Sequence, residues 1–320
     1  MKLGLLTAMF GDKPLKDVLE MIRPLGLQTV ELGAGNYPGD PHAPLQELLA
    51  SKPKRDELKA MLKGEGLAIS ALSCHGNCLH PDAAFAKANA QVQSDAIRLA
   101  ALLGIKVVND FSGCPGSSPS STQPNWVTCP WPPYFLDILE WQWEKRVIPY
   151  WTKQAKFASD HGVKVAFEMH PGFVVYNPET LLKLRKACGP SLGANFDPSH
   201  LFWQGIEPIE AVRALGKAIF HVHAKDSMVY EQNARVNGVL DTKHYGDEIN
   251  RAWIFRTCGY GHGLEWWKDF VSTLRMVGYD YVLSIEHEDS LMSSWEGLTK
   301  ATEFLKQVVI TEKVTAMTWA

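Results

Sequence analysis

One pattern constrains the fold of this chain more than any other. Short apolar stretches alternate with stretches of helical periodicity eight times along the 320 residues. Because βα crossovers in a parallel sheet are right-handed, eight such units close naturally into a barrel. The predicted strands are 2–7, 28–32, 67–72, 105–109, 164–168, 192–197, 218–223 and 281–286.

The sequence therefore predicts an α/β fold, a (β/α)8 TIM barrel, as a single domain over residues 1–320. A doubly wound open sheet is the alternative, and the lack of a Gly-rich phosphate turn after the first strand argues against it. Helix starts are signalled locally. Asn177 before Pro178 is typical of an N-cap followed by the first helical position. Ser293 and Glu296 have the spacing of a capping box.

Two long excursions interrupt the alternation, at 112–133 after the fourth strand and at 226–263 after the seventh. Each is longer than the ~2–6 residues that a barrel connection needs. The first is dense in Gly, Pro and Ser and contains Trp126 and Trp131, and the second contains Trp253. Since both follow carboxyl ends of strands, they are expected to cover one rim as a lid. A subunit interface is the alternative, and a homo-oligomer stays open.

Composition limits the partners of the chain. The 32 Lys and Arg against 35 Asp and Glu give a net charge of −3, which argues against a nucleic-acid partner. No apolar run approaches the ~20 residues of a membrane span, so no membrane association is expected. Six scattered cysteines without CxxC spacing favour free thiols in a reducing compartment. We therefore expect a cytoplasmic protein.

The strand ends carry the chemistry of the chain. The fifth predicted strand ends in Glu168, the sixth in Asp197, the seventh in His223 and the eighth in Glu286. Barrel enzymes place their reactive groups at this rim. Three carboxylates that share one rim would repel each other, and a divalent cation removes that repulsion. The alternative is that the four are separate structural residues.

Three oxygen ligands and one nitrogen ligand suit a hard divalent ion better than a thiolate-rich structural zinc site does. The sequence thus predicts one divalent metal ion. Mn²⁺ is the expected ion, and Co²⁺, Mg²⁺ and Zn²⁺ stay open.

The motifs VAFEMHPG, GANFDPSH, HVHAKD and LSIEHED resemble those of the xylose isomerase-like barrel family. This family covers sugar isomerases and epimerases and, more distantly, endonuclease IV-type enzymes. The resemblance implies a metal ion held by Glu168, Asp197, His223 and Glu286. It also implies that His200, three residues after the aspartate, contacts substrate.

The chain departs from two branches of that family. Ketose 3-epimerases have a substrate-binding Glu where this chain has Val174, and an Arg where it has Val229. The resemblance therefore implies the same metal chemistry with a different pose of the sugar. Endonuclease IV-type enzymes have an Asp-x-His pair before a Gly-rich turn, and the segment before Gly259 lacks it, which argues against DNA repair.

Further polar and aromatic residues follow the strand ends, and the sequence makes them candidates for substrate binding. Loop-ordering hydrogen bonds, surface ion pairs and core packing are the alternatives for them. Glu31 also ends a strand and reaches toward the pocket, whereas His221 is expected to be packed deeper. The candidates are His75, Asn77, His170, Lys225, Asp226 and Trp126.

Three functions fit this pattern. In the first, an isomerase or epimerase acts on a ketose or keto-sugar through an enediolate, with Glu168 and Glu286 as the acid–base pair on opposite faces. In the second, a lyase or dehydratase of a keto-sugar, inositol derivative or 3-ketoglycoside forms the same enediolate and expels a substituent. In the third, a non-catalytic barrel binds sugar, and the complete ligand set argues against it. The expected partner is a small-molecule sugar substrate.

Overall fold

The computed structural model describes residues 1–313. The sequence predicts that Trp319 packs on its own barrel or on a neighbouring subunit, and this residue lies outside the described range. The strands within this range are β1 Lys2–Leu6, β2 Thr29–Gly33, β3 Ala68–Ser73, β4 Val107–Asp110, β5 Lys164–Glu168, β6 Leu192–Phe196, β7 Ile219–Ala224, β8 Asp226–Val229, β9 Trp253–Arg256 and β10 Val282–Ile285. Eight of these described strands form a closed barrel in the order β1-β10-β7-β6-β5-β4-β3-β2. Their pairing is parallel throughout. The predicted (β/α)8 TIM barrel is confirmed.

The longer helices pack around the outside of this barrel because each turns an apolar face inward. On the first helix, for example, Val18, Leu19 and Ile22 are buried at helical spacing. The α-helices are α1 Leu15–Ile22, α2 Leu45–Ala50, α3 Lys52–Gly64, α4 Ala83–Leu103, α5 Tyr134–Trp141, α6 Ile148–Asp160, α7 Pro178–Cys188, α8 Ser199–Phe202, α9 Pro208–Leu215, α10 Glu231–Asn237, α11 Leu264–Met276 and α12 Ser294–Leu305. None of those found in residues 1–313 is long and apolar enough to cross a bilayer.

The helix starts follow the local signals. The Asn177 side chain accepts a hydrogen bond from the Thr180 amide, and the Thr180 hydroxyl completes a capping box with the Asn177 amide. The Ser293 hydroxyl accepts from the Glu296 amide at 3.2 Å, which is one half of the predicted box.

The barrel closes between its first and last strands, where Gly4 of β1 pairs with Ser284 of β10. The interior is polar toward the carboxyl ends, where Glu31, Asn109 and His221 are fully buried. Toward the other end, Phe220 packs with small and aliphatic residues of neighbouring strands. An added Cβ on Gly193 would lie only 2.4 Å from the Phe220 ring, so the close approach of β6 to this ring requires glycine there.

The two excursions are built differently. The first is irregular up to the start of α5. The second contains regular structure that the sequence analysis did not predict, because β8 and β9 pair as an antiparallel hairpin with Val229 opposite Trp253. Helix α10 lies between these two strands. Both excursions follow carboxyl ends of barrel strands, as predicted.

Candidate active site

The four strand-end side chains come together at the carboxyl rim of the barrel. Glu168 is the last residue of β5, Asp197 and Glu286 directly follow β6 and β10, and His223 lies near the end of β7. One ligand atom from each lies within 4.8 Å of the others. Parallel strands end at the same edge, so the alternation itself produces this convergence.

His223 is held from both sides of its ring. Its Nδ1 atom lies 2.8 Å from Glu286 Oε2 and 3.3 Å from Glu168 Oε2. Its Nε2 atom lies 3.0 Å from Glu31 Oε1. Because the Glu31 and Glu286 carboxylates can only accept, both ring nitrogens carry protons here. Glu31 would keep the Nε2 proton in place when a metal ion replaced the proton on Nδ1.

Glu31 was missing from the residues assigned to the site from sequence, although its position at a strand end was noted. Its carboxylate is fully buried and accepts hydrogen bonds from Asn109 at 2.8 Å and Ser284 at 2.7 Å, and from Ser73. The β2–β3 register shifts immediately before Glu31, and such irregularities re-aim side chains. Glu31 therefore places a buried carboxylate in contact with the Nε2 side of His223.

The donor set fits a divalent cation. Asp197 Oδ1 accepts from the Ser199 amide at 2.8 Å. Asp197 Oδ2 is buried and, among residues 1–313, has no aligned hydrogen-bond donor. The Lys225 ammonium lies 3.2 Å and His200 Nε2 3.3 Å from this oxygen without aligned hydrogen bonds, so its lone pairs are available to a metal ion. Three carboxylates and one imidazole nitrogen are ligands that Mn²⁺, Co²⁺, Mg²⁺ and Zn²⁺ accept.

The charges at the rim favour ionised carboxylates. Burial raises the pKa of Glu286, but Lys225 and His223 outweigh burial and bring that pKa to about 2. Burial likewise raises the pKa of Glu168, and hydrogen bonds from His200 and His223 bring it well below its ordinary value. Burial lowers the pKa of His223, and the negative charges of Glu31 and Glu286 raise it well above the usual range.

Glu168 is flanked by two further imidazoles that the sequence analysis selected. His200 Nε2 donates to Glu168 Oε1 at 2.9 Å. His75 Nε2 lies 3.1 Å from Glu168 Oε2, out of hydrogen-bond alignment. Both rings are buried. They fix the orientation of the carboxylate and present N–H groups next to it.

Lys225 lies among carboxylates at the same rim. Its ammonium nitrogen is 3.2 Å from Asp197 Oδ2, 3.1 Å from Glu286 Oε2 and 2.9 Å from Glu288 Oε2. The side chain is only 2% exposed, and a buried cation of this kind needs such partners. Burial lowers the pKa of Lys225, and Asp197, Glu286 and Glu288 raise it well above its ordinary value.

A chamber of about 370 Å³ opens above these groups, and its walls include His75, Glu168, His170, Lys225 and Glu286. All five residues are predicted from the sequence as metal-binding, catalytic or substrate-binding residues. Burial and the nearby positive charge of His200 lower the pKa of His170 to about 3. His170 therefore lines the chamber as a neutral imidazole.

Two proposed substrate residues lie outside the chamber walls and contact loop backbone. Asn77 Oδ1 accepts from the amides of Cys114 at 2.9 Å and Leu79 at 3.1 Å, and its Nδ2 donates to the Cys114 carbonyl at 3.2 Å. These bonds order the loop, and Asn77 does not line the chamber.

Asp226, the second of these residues, organises the end of the second excursion. Its Oδ2 accepts from the amides of Gly261 at 3.2 Å and His262 at 2.8 Å, and its Oδ1 accepts from His262 Nδ1 at 2.7 Å. The carboxylate is fully buried, and Asp226 is not among the residues that line the chamber.

The tryptophans of the excursions separate into two groups. Trp131 is 73% exposed and packs on no pocket wall. Trp126 and Trp253 line a second cavity together with His200. Two positions depart from the ketose 3-epimerase pattern, and both valines there pack against apolar neighbours. Val174 is buried in the core, and Val229 packs beside Trp253.

Comparison with known proteins agrees with this arrangement. The family model of the xylose isomerase-like TIM barrel matches residues 19–308. The uncharacterised protein YfiH of Bacillus subtilis is 43% identical over 97% of this chain and 99% of its own length. Because YfiH is itself uncharacterised, this similarity does not identify a reaction.

Several solved structures have the same fold. The probable 3-DHS dehydratase AsbF of Bacillus anthracis has a TM-score of 0.65 at 17% identity and covers 96% of this chain and 99% of its own. A D-tagatose 3-epimerase-like protein has a TM-score of 0.63 at 22% identity, with 96% and 98% covered. An IolI protein with a bound zinc atom has a TM-score of 0.64 at 20% identity, with 97% and 98% covered.

These structures share the barrel with this chain, and they include both a probable dehydratase and an epimerase-like protein. Identities this low establish the fold alone. The family assignment rests on the match of the family model over most of the chain, together with the motifs at the strand ends. The chain belongs to the xylose isomerase-like TIM barrel family.

Proposed function

We propose that this protein is a divalent-metal-dependent isomerase or epimerase that acts on a ketose or keto-sugar. One observation carries the proposal: Glu168 and Glu286 both approach His223 Nδ1, at 3.3 Å and 2.8 Å, from strands that β6 and β7 separate. Two carboxylates that reach one point from different sides can serve opposite faces of a substrate carbon. An acid–base pair of this kind is what proton transfer across a carbon requires.

Glu168, Asp197, His223 and Glu286 would hold the metal ion. When bound, a divalent ion supplies positive charge that polarises a substrate carbonyl and stabilises negative charge on its oxygen. Mn²⁺ is the ion we expect, and the zinc atom of the IolI protein supports a divalent metal cofactor for this fold. Glu31 holds the His223 proton at Nε2, which keeps Nδ1 available as a ligand.

The residues of the chain then move the proton. Glu168 removes a proton from the carbon next to the carbonyl. Glu286, which takes up a proton from solvent as the substrate binds, returns it to the opposite face of the same carbon, and the proton on Glu168 passes to solvent as the product leaves. In the reverse direction the two exchange roles. His200 and His75 hold the two oxygens of Glu168, so that the carboxylate meets the carbon in one orientation.

Lys225 and the chamber walls complete the proposed site. The chamber volume of about 370 Å³ suits one sugar ring. Lys225 lies 3.1 Å from Glu286, where its charge favours the ionised carboxylate between turnovers. Walls from Phe111 and Tyr37 limit the access of water to the reacting carbon.

A lyase is the second candidate, and a specific observation favours it. His75, His170 and Lys225 line the same chamber as the two glutamates, so several N–H groups are available to protonate a departing hydroxyl. In this reaction Glu168 removes the same proton, and the electron pair left on the carbon expels the β-substituent. The dehydratase name of the AsbF relative agrees with this alternative.

Isotope incorporation separates the two reactions. The protein, restored with Mn²⁺, is incubated in deuterated water with a panel of ketoses and 3-keto-sugars and followed by NMR and mass spectrometry. Deuterium at an inverted or relocated position identifies an epimerase or isomerase, and loss of a substituent identifies a lyase.

Matched variants connect the activity to the site. Glu168→Gln and Glu286→Gln are expected to lower kcat by about 100- to 10,000-fold, the range for a lost acid or base. Glu265→Gln, at an exposed position of α11, is the control and should match the wild type. Turnover that survives in both site variants would contradict the assigned roles.

A further inference from the structure

A second cavity adjoins the reaction chamber and is formed by both excursions. It has a volume of about 280 Å³, and we call it the side cavity. His170 lines both the chamber and the side cavity, so the two spaces share a wall. The side cavity is lined by Trp126, His200, Trp203, Asp241, Tyr245 and Trp253, among others.

Two hydrogen-bond donors in the side cavity lack acceptors. The indole nitrogens of Trp126 and Trp203 are buried from solvent, and neither finds a partner within residues 1–313. Trp253, the third indole in the cavity wall, donates to the Val239 carbonyl at 3.1 Å. Because a buried donor without an acceptor is costly, two of them in one cavity point to a ligand with acceptor oxygens.

The aromatic rings of the cavity are rigidly held. The rings of Trp203 and Trp253 stack with their centroids 4.6 Å apart and their planes 3° from parallel. Tyr245 contacts Trp253 edge-on at 5.9 Å. Arg251 lies over the rings of Trp253 and Tyr245, so these rings present mainly their edges to the cavity, and apolar edges next to N–H donors suit the C–H and hydroxyl groups of a sugar ring.

The side cavity is connected to the chemistry in two ways. His200, in its wall, donates directly to Glu168. An intermediate cavity of about 350 Å³ contains His170, Tyr245, Phe255 and Glu288 in its walls. It shares Glu288 with the chamber and Tyr245 with the side cavity, so the three spaces form a continuous row.

We propose that the side cavity binds a second sugar ring, joined to the ring that reacts at the metal centre. The substrate class is then a keto-sugar of disaccharide size, whose distal hydroxyl oxygens accept from Trp126 and Trp203. This proposal rests on the proposed function for the identity of the reacting ring. It assigns recognition of the distal ring to the excursions and leaves the reaction to the barrel rim.

The test compares a one-ring probe with two-ring probes. Binding of glucose, maltose and cellobiose is measured by ligand-observed NMR. Turnover of their 3-keto derivatives is measured with Mn²⁺ present. We expect at least one disaccharide to bind more tightly than glucose and its keto derivative to have the higher kcat/KM.

Substitutions in the cavity wall locate the effect. Trp203→Phe and Trp126→Phe remove an N–H donor and keep an aromatic ring, so each should lower the two-ring to one-ring ratio of kcat/KM about three- to tenfold, the value of one hydrogen bond. Trp131→Phe, in the exposed part of the first excursion, should leave the ratio unchanged. Thr242→Trp narrows the cavity from an exposed position and should lower the ratio even where an indole variant fails to fold.

The outcomes distinguish this proposal from the proposed function. Disaccharide binding that depends on Trp203, without turnover of any keto-sugar, would support the side cavity and contradict the reaction. Turnover with equal kcat/KM for one-ring and two-ring probes, unaffected by Trp203→Phe and Thr242→Trp, would support the reaction and overturn the side-cavity proposal.

Discussion

The rim of the barrel and the two excursions above it are held in place by different forces. The rim carboxylates lie on or directly after strands, and the parallel ladder of the barrel fixes their positions. The irregular parts of the excursions depend more on buried polar side chains. Gln142 donates to three carbonyls of the first excursion, and Asp226 accepts from the turn that ends the second.

This difference separates chemistry from recognition in the molecule. A change at the rim alters a donor atom and leaves the ladder that supports it intact. A change at an excursion anchor alters the position of many residues and leaves the donor atoms intact. Four substitutions test this distinction, and the strongest effect is expected at the metal ligands.

Asp197→Asn should abolish metal binding and leave the fold intact. The amide oxygen can still accept from the Ser199 amide, and Lys225 keeps Glu286 and Glu288 as partners. We expect affinity for Mn²⁺ to fall by more than about 100-fold, beyond the range for residues that only support a ligand. Calorimetric titration measures the affinity, and loss of the folded circular dichroism signal would contradict the expectation.

Glu31→Gln should weaken metal binding by about 10- to 100-fold. Asn109 and Ser73 donate to Oε1, so the amide oxygen takes that place and the NH₂ group faces His223. His223 Nε2 then lies between a neutral amide oxygen and an NH₂ group, 3.0 Å and 3.1 Å from those two positions, so the Nε2 proton loses its charged acceptor and the tautomer with the proton on Nδ1, where the metal would bind, becomes more favourable. Ser284→Ala removes one donor to Glu31 and keeps the carboxylate, and a loss as large as that of Glu31→Gln would argue against this tautomer mechanism.

Asp226→Asn should destabilise the second excursion and spare the metal centre. The NH₂ group cannot accept from the turn amides, and each buried donor left unsatisfied costs about 1–3 kcal/mol. The free energy of unfolding should fall by that amount, and hydrogen exchange should rise across residues 253–263. Asp247→Asn, nearer the surface of the same excursion, is the control. Reduced Mn²⁺ affinity in Asp226→Asn would contradict the expectation that the excursion and the metal centre are independent.

Gln142→Leu should have the smallest effect, on the first excursion only. Gln142 is 1% exposed and donates to the Asn125 carbonyl at 2.7 Å, and leucine leaves this carbonyl and its neighbours without their donor. We expect a loss of about 1 kcal/mol in the free energy of unfolding. Limited proteolysis should cut faster between residues 115 and 126, and an unchanged cleavage rate would mean that the excursion is held by other contacts.

The barrel was predictable because periodicity and strand-end chemistry are local in sequence. Eight alternations gave the closed barrel, and the last residues of four strands gave the side chains that meet at the rim. The Asn177 cap was also predictable, since it depends on neighbouring residues. Helix α2 was not predicted, because its six residues are too few to show a helical period.

The remainder depends on contacts that no local pattern encodes. Glu31 lies 192 residues from His223 in sequence, and only closure of the barrel brings the two together. Asp226 and Asn77 resembled substrate ligands by position, yet both accept hydrogen bonds from loop backbone amides, those of His262 and Cys114. Their proximity to strand ends was readable in sequence, whereas the direction of each side chain was not.

Closure of the barrel links metal supply to the lifetime of the protein. The proposed ligands come from four neighbouring strands, but Glu31 of β2 reaches His223 across the barrel, so the ligand set together with the group that would orient His223 exists only in the closed barrel. An ion that binds only this state stabilises it by about 2.7 kcal/mol at a free concentration 100 times its Kd. Opening is correspondingly rarer in metal-replete cells, and starvation for the metal would expose more chains to proteolysis, reducing the abundance of the protein together with its activity.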